Sequence, residues 1–168
     1  MQYKNSSGVW VDVTLNQEIT KVDIDAGKLR FNPAANASGA GYDTFNFKVS
    51  DGTVYSASAY IMTIDVTAVN DAPDITSNGG AGTATVTIVE GTIPVTTVTA
   101  TDAENDTLTF SLSGGVDQSL FEIDPNTGAL KFKTAPDFDN PTDDGKTNEY
   151  IVQVTVSDGN GRTPHQTL

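Results

Sequence analysis

The residues that could do chemistry here are carboxylates, and they are not scattered. In the second half of the chain they fall at Asn70-Asp71, Glu90, Asp102-Ala103-Glu104, Asp137-Phe138-Asp139 and Asp158. Side chains alternate along an extended strand, so a D-x-E or D-x-D pair at a strand end turns both carboxylates to one side. Held together without a cation such groups repel: two unit charges 4 Å apart cost roughly 4 kcal/mol at an effective dielectric of 20. Hard oxygen ligands in this pattern suit calcium, which takes six to eight oxygens at about 2.3–2.6 Å. The chain has no cysteine and a single histidine, which leaves zinc and copper without their preferred ligands. The plainer reading, that Asp and Asn simply favour turns, stands beside this one until the wider pattern is considered.

The elements that must position these acids read as strands. Among 168 residues, 24 Thr and 16 Val outnumber 7 Leu, so β-branched residues dominate. No window of ten residues has helical periodicity. Two internal echoes set the domain count: Gly27-Lys28-Leu29-Arg30-Phe31 recurs as Gly128-Ala129-Leu130-Lys131-Phe132, and Tyr42 to Asp51-Gly52 is echoed by Tyr150 to Asp158-Gly159. In the second pair, apolar residues alternate up to a Val-Ser-Asp-Gly end, which is a strand followed by a turn. Repetition at about a hundred residues means tandem domains of one type. The strand pattern Ile61–Val69 runs into Asn70-Asp71-Ala72-Pro73-Asp74, where Pro73 removes a ladder donor. The expected division is therefore a domain over 1–69, a linker over 70–74 and a second domain over 75–168. Charge divides there too, with 7 acids and 5 bases in residues 1–70 against 15 and 4 in 71–168.

The second domain reads as strands near Thr83–Val89, Val95–Ala100, Thr107–Ser111, Ala129–Lys133 and Asn148–Ser157. Turns are expected at Ser113-Gly114-Gly115 and Asp124–Gly128. About seven short strands in ninety residues describe a β-sandwich, with Phe110, Leu112, Phe121, Ile123, Leu130, Phe132, Tyr150, Val152, Val154 and Val156 as its expected core. The first copy is short by about thirty residues before its Trp10 strand. The second stops at Gln166-Thr167-Leu168, where its closing strand is expected to begin, so most of that strand is missing.

Glu90, Thr99–Glu104, Phe121–Leu130, Pro136–Asp139 and Tyr150–Gly159 follow one another in the order and spacing of a cadherin repeat, and residues 71–168 resemble one. The first copy resembles the cadherin-like repeats of bacterial surface and RTX-type adhesins, through Asp25–Gly39 and Val69-Asn70-Asp71-Ala72-Pro73. The resemblance implies an all-β pair of immunoglobulin-like Greek-key sandwiches, the first truncated at its N-terminal side. It also implies calcium between consecutive repeats. Carried over by position, Asn70 and Asp71 match the linker ligands, and Asp102, Glu104 and Asp158 the acids of the following repeat, with the Ala72 carbonyl in the shell. Glu104 stands where Asp is usual in the family. Ala68 takes the linker's first acidic position, so one or two ions are expected at this junction. Glu90, Asp137 and Asp139 match the acids a repeat donates to its next linker; without that linker, an ion there is expected to be weak or missing.

Composition excludes several other classes. A net charge of −13 gives no basic field for phosphates, so nucleic acid is not an expected partner. Hydrophobic content of 37% supports thin cores and offers no membrane-inserting segment. His165 has no expected catalytic partners, the like-charged acids are not arranged as glycosidase carboxyls across a cleft, and Asn78–Gly82 lacks the Lys and Ser/Thr order of a phosphate loop. No enzymatic activity is expected. The implied role is a calcium-stiffened extracellular extender or adhesion module of a bacterial surface protein. Its partners would be calcium, adjacent repeats and a cell-surface protein or glycan. The alternative is a carbohydrate-binding sandwich of a secreted polysaccharide-degrading protein, which needs an exposed aromatic strip around Trp10, Tyr3 or Tyr55.

Overall fold

Alternating β-branched and aromatic residues form short antiparallel strands throughout the computed structural model, which describes residues 1–168. The chain separates into two compact units, Met1–Val69 and Asn70–Leu168. The first contains β1 (Gln2–Lys4), β2 (Trp10–Asp12), a five-residue helix α1 (Lys21–Asp25), β3 (Leu29–Arg30), β4 (Gly39–Phe47) and β5 (Tyr60–Val66). β1 lies between β2 and β3, while β4 and β5 form a separate hairpin in which Phe45 faces Met62. Thr20 caps α1, its hydroxyl accepting from the Asp23 N–H at 3.1 Å. Asp23 in turn binds Lys28 at 2.7 Å and the Tyr3 hydroxyl at 3.0 Å.

No residue of 1–69 is fully buried. Trp10, expected in a core, is half-buried, and the Arg30 guanidinium lies 4.1 Å from its ring centroid. The expected partial sandwich is therefore two small sheets without an interior of their own.

The second unit holds the core. It contains β6 (Asp74–Ile75), β7 (Pro94–Thr97), β8 (Ala100–Thr101), β9 (Thr109–Gly114), β10 (Phe121–Ile123), β11 (Ala129–Phe132), β12 (Gln153–Ser157) and β13 (His165–Thr167). Two three-stranded sheets run in the orders β10-β11-β7 and β13-β12-β9, and β6 pairs with β8. Phe110, Phe121, Leu130, Phe132, Val152, Val154 and Val156 are buried as expected, with Leu112, Ile123 and Tyr150 packed against them. Ile75 and Val98 join the core without having been anticipated. The turn at Asp124–Gly128 is built as expected: Asp124 Oδ1 accepts from the Asn126 and Thr127 N–H groups at 2.9 Å. Gly128 has φ +70°, and a Cβ there would meet the Val98 carbonyl oxygen at 2.1 Å.

Several strands differ from expectation. Val95–Ala100 splits into β7 and β8, and the third strand runs from Thr109 to Gly114 rather than from 107 to 111. Asn148–Ser157 shortens to Gln153–Ser157 because buried carboxylates take its backbone donors: Asp117 accepts from the Ile151 N–H at 2.8 Å, and Asp143 from the Asn148 N–H at 3.1 Å. Thr83–Val89 makes only a single bridge, from Thr83 to Thr167.

Replacing fully buried Leu130 by alanine is expected to cost about 2–5 kcal/mol. Replacing Ile61, 71% exposed on β5, should change stability by less than about 0.5 kcal/mol. Urea unfolding of both variants checks this contrast; equal losses would contradict it.

Candidate metal centre

The pairing of Asp74 with Thr101 across β6 and β8 sets Asn70–Ala72 against the loop that follows β8. That loop is organised by Asp102, whose Oδ1 accepts from the Glu104 and Asp106 N–H groups, each at 3.0 Å. Glu104 then turns to the entering chain, and its Oε2 accepts from the Asp71 N–H at 3.1 Å. Asp158 arrives from the end of β12. Its Oδ2 accepts from the Asn70 side-chain amide at 2.7 Å, and its Oδ1 from the Asn160 N–H at 2.7 Å. The Asn160 amide donates to Asp106 at 2.7 Å and to the Asn70 side-chain oxygen at 3.1 Å.

The structure thus gathers Asn70, Asp71, Asp102, Glu104 and Asp158 into one bonded network and adds Asp106 and Asn160. Ala72 is exposed beside them. Sequence reasoning missed Asp106 and Asn160. Both had a signal, Asp106 lying two residues past Glu104 and Asn160 two past Asp158.

Asp158 is 6% exposed, and the Asn70 amide, with the Asn160 N–H, holds its carboxyl below the usual range. The equivalent acid of the first unit, Asp51, is held at about 2, chiefly by the Val54 N–H, with Thr53 donating as well. As they stand, no three acidic or histidine side chains converge closely enough to enclose an ion. Asn70 and Asn160 supply donors to carboxylates that would otherwise face one another.

A second group forms at the other end of the run leading into β12. Glu90 Oε2 accepts from the Phe138 N–H at 3.1 Å, and Asp137 Oδ1 from the Asp139 N–H at 3.0 Å. The Asn148 side-chain amide fixes the Phe138 carbonyl at 3.2 Å, and Asn148 is itself tied to Asp143. Glu90, Asp137 and Asp139 are exposed.

Comparison with known proteins bears on this arrangement. Over 123 residues, 71% of its length, the chain is 31% identical to the Fat-like cadherin-related tumor suppressor homolog of Drosophila melanogaster. These are cadherin-like repeats. The chain spans 2% of that relative's length. No family model matches. Among solved structures, mouse cadherin-23 EC22-24 is similar at 24% identity and TM-score 0.48, over 74% of this chain and 40% of that one. Human protocadherin-24 EC1-2 is similar at 24% identity and TM-score 0.42, over 60% and 42%.

The cadherin-like network has one feature that hydrogen bonding leaves unresolved. Asp102 Oδ2 is buried and has no hydrogen-bond partner. A buried, unpaired carboxylate oxygen is costly unless a cation or another donor reaches it. Together with an all-oxygen set of neighbouring donors, this fits a hard divalent cation.

The depressed Asp158 carboxyl has a definite pH signature. A group whose folded pKa lies below its unfolded value stabilises the fold above the unfolded value, near pH 4, and that contribution is lost as pH falls through the folded pKa. In the Asn70→Ala variant, Asp158 should titrate closer to its ordinary value, read from its side-chain carboxyl carbon by NMR. An unchanged titration would show that the amide does not hold it.

Proposed function

We propose that the chain is part of an extracellular array of cadherin-like repeats, an extender and adhesion module stiffened by calcium. The buried, partnerless Asp102 Oδ2 beside Glu104, Asp158, Asn70 and Asp71 is the observation that carries this reading. Calcium would supply the charge that offsets the clustered carboxylates. Asp102, Glu104 and Asp158 would hold it from the second unit's loops, with Asn70, Asp71 and the Ala72 carbonyl from the segment that enters the unit. Asn70 and Asp158 are already drawn together by their hydrogen bond, so little chain ordering remains to be done on binding. Glu90, Asp137 and Asp139 would serve a neighbouring repeat in the same manner. The mechanical consequence is resistance to swinging between consecutive repeats. The adjacent repeats, with a cell-surface protein or glycan, are the proposed partners.

The setting in a bacterial surface adhesin rests on the resemblance of the first unit. A sugar-stacking role is not favoured, since Arg30 lies over the ring of the only tryptophan.

Extracellular calcium modules bind at about 10⁻⁴–10⁻³ M. At about 10 mM calcium this corresponds to stabilisation by roughly 1.4–2.7 kcal/mol. Calorimetric titration and thermal melts should show one or two ions at Asn70–Ala72 and a rise in Tm. Combined Asp102→Asn and Asp158→Asn substitution should remove both signals. A shift that survives the double substitution would contradict the assignment of these residues.

A further inference from the structure

Residues Thr83–Val89 have a strand's alternation, Ala84, Val86 and Ile88 being half-buried and Thr83, Thr85, Thr87 and Val89 exposed. The segment nonetheless pairs only at its first residue. Thr83 bridges in parallel to Thr167, with the Ala84 N–H donating to the Thr167 carbonyl at 2.8 Å and the Thr167 N–H to the Gly82 carbonyl at 2.9 Å. In a parallel ladder the next donors on this edge are the N–H groups of Val86 and Ile88. Neither makes a backbone hydrogen bond.

The facing edge stops in the same way. Val152 and Leu168 exchange hydrogen bonds at 3.0 and 2.8 Å, and the next donor in that antiparallel ladder, the Tyr150 N–H, has no backbone partner. Between the two edges lies a cavity of about 600 Å³, lined by Val86, Ile88, Val95, Phe121, Phe132 and Tyr150 among others. Its charged lining residues are Glu90 and Glu149, with no Lys or Arg.

The first unit shows what kind of strand such a place accepts. Superposing the two Val-Ser-Asp-Gly ends, Val49 on Val156, brings the Phe47–Tyr60 pair onto the Val154–Gln166 pair. Met62 then falls on Leu168. β5 continues with Ile64 and Val66 at the following inward positions, where the second unit has the cavity.

We infer that this cavity is an open strand slot that takes an extended peptide from a partner chain, parallel to Thr83–Val89 and antiparallel to Tyr150–Val152. The peptide is apolar at alternate positions and basic rather than acidic between them. Three observations converge on that occupant: unsatisfied ladder groups on both edges, an apolar interior between them, and an acidic lining. Burial of backbone donors without partners is unfavourable, and strand addition satisfies them while filling the cavity. The slot continues an existing ladder, so β13 sets the register of the incoming strand.

The test uses the full chain and a fluorescein-labelled synthetic peptide of Met62–Ala68 carrying Asp65→Lys. Fluorescence anisotropy should show saturable binding. Hydrogen exchange by NMR should slow by about ten-fold or more at Val86, Ile88 and Tyr150, as those amides enter ladders. A second peptide with Ile64→Asp and Val66→Asp added should bind at least about ten-fold more weakly, because it would bury carboxylates in the apolar interior. Equal binding of the two peptides would overturn the proposal, as would unchanged exchange at the three amides. Exchange that slows with chain concentration alone would assign the slot to a second copy and overturn it as well.

Discussion

Carboxylate repulsion at strand ends is the constraint around which the second unit is organised. Asp102, Glu104, Asp106 and Asp158 are brought near one another by loops whose backbones they themselves shape. Donors offset most of that cost: backbone N–H groups on Asp102 Oδ1 and Asp158 Oδ1, and asparagine amides on Asp158 Oδ2 and Asp106 Oδ2. One oxygen, Asp102 Oδ2, is left over. A site that is nearly but not wholly neutralised by its own chain is one a divalent cation can complete.

The same device appears in two other places with a different result. Buried Asp117 and Asp143 are satisfied by backbone and hydroxyl donors from Asp144, Ile151, Thr147 and Asn148. They end the ladder early and fix the loop before β12. Their carboxylates form part of the scaffold, in contrast to Asp102, whose second oxygen is unused. Through Asn148 the Asp143 loop also holds the segment bearing Asp137 and Asp139.

Much of this was legible in the chain. Alternation located Phe121, Leu130, Phe132, Val152, Val154 and Val156 in the core, because a strand with one buried face leaves a period-two trace. Paired acids at strand ends located Asp102, Glu104 and Asp158, and spacing joined them to Asn70 and Asp71. Other features left no such trace. Asp117 and Asp143 read as ordinary polar loop residues, since their burial depends on which distant N–H groups they meet. Val98 sits between the two short strands that replaced one long one, so periodicity gave it no face. The first unit showed the same alternation as the second, yet nothing in it is buried, because burial needs a facing layer and alternation specifies only one side.

The central claim is that this carboxylate network is completed by a cation. Native mass spectrometry of the full chain in millimolar calcium, against the same chain in magnesium alone, tests it most directly. One or two calcium ions retained per chain, and lost from the Asp102→Asn variant, is the result this account predicts. A chain that carries no calcium, or carries the same number without Asp102, would contradict it.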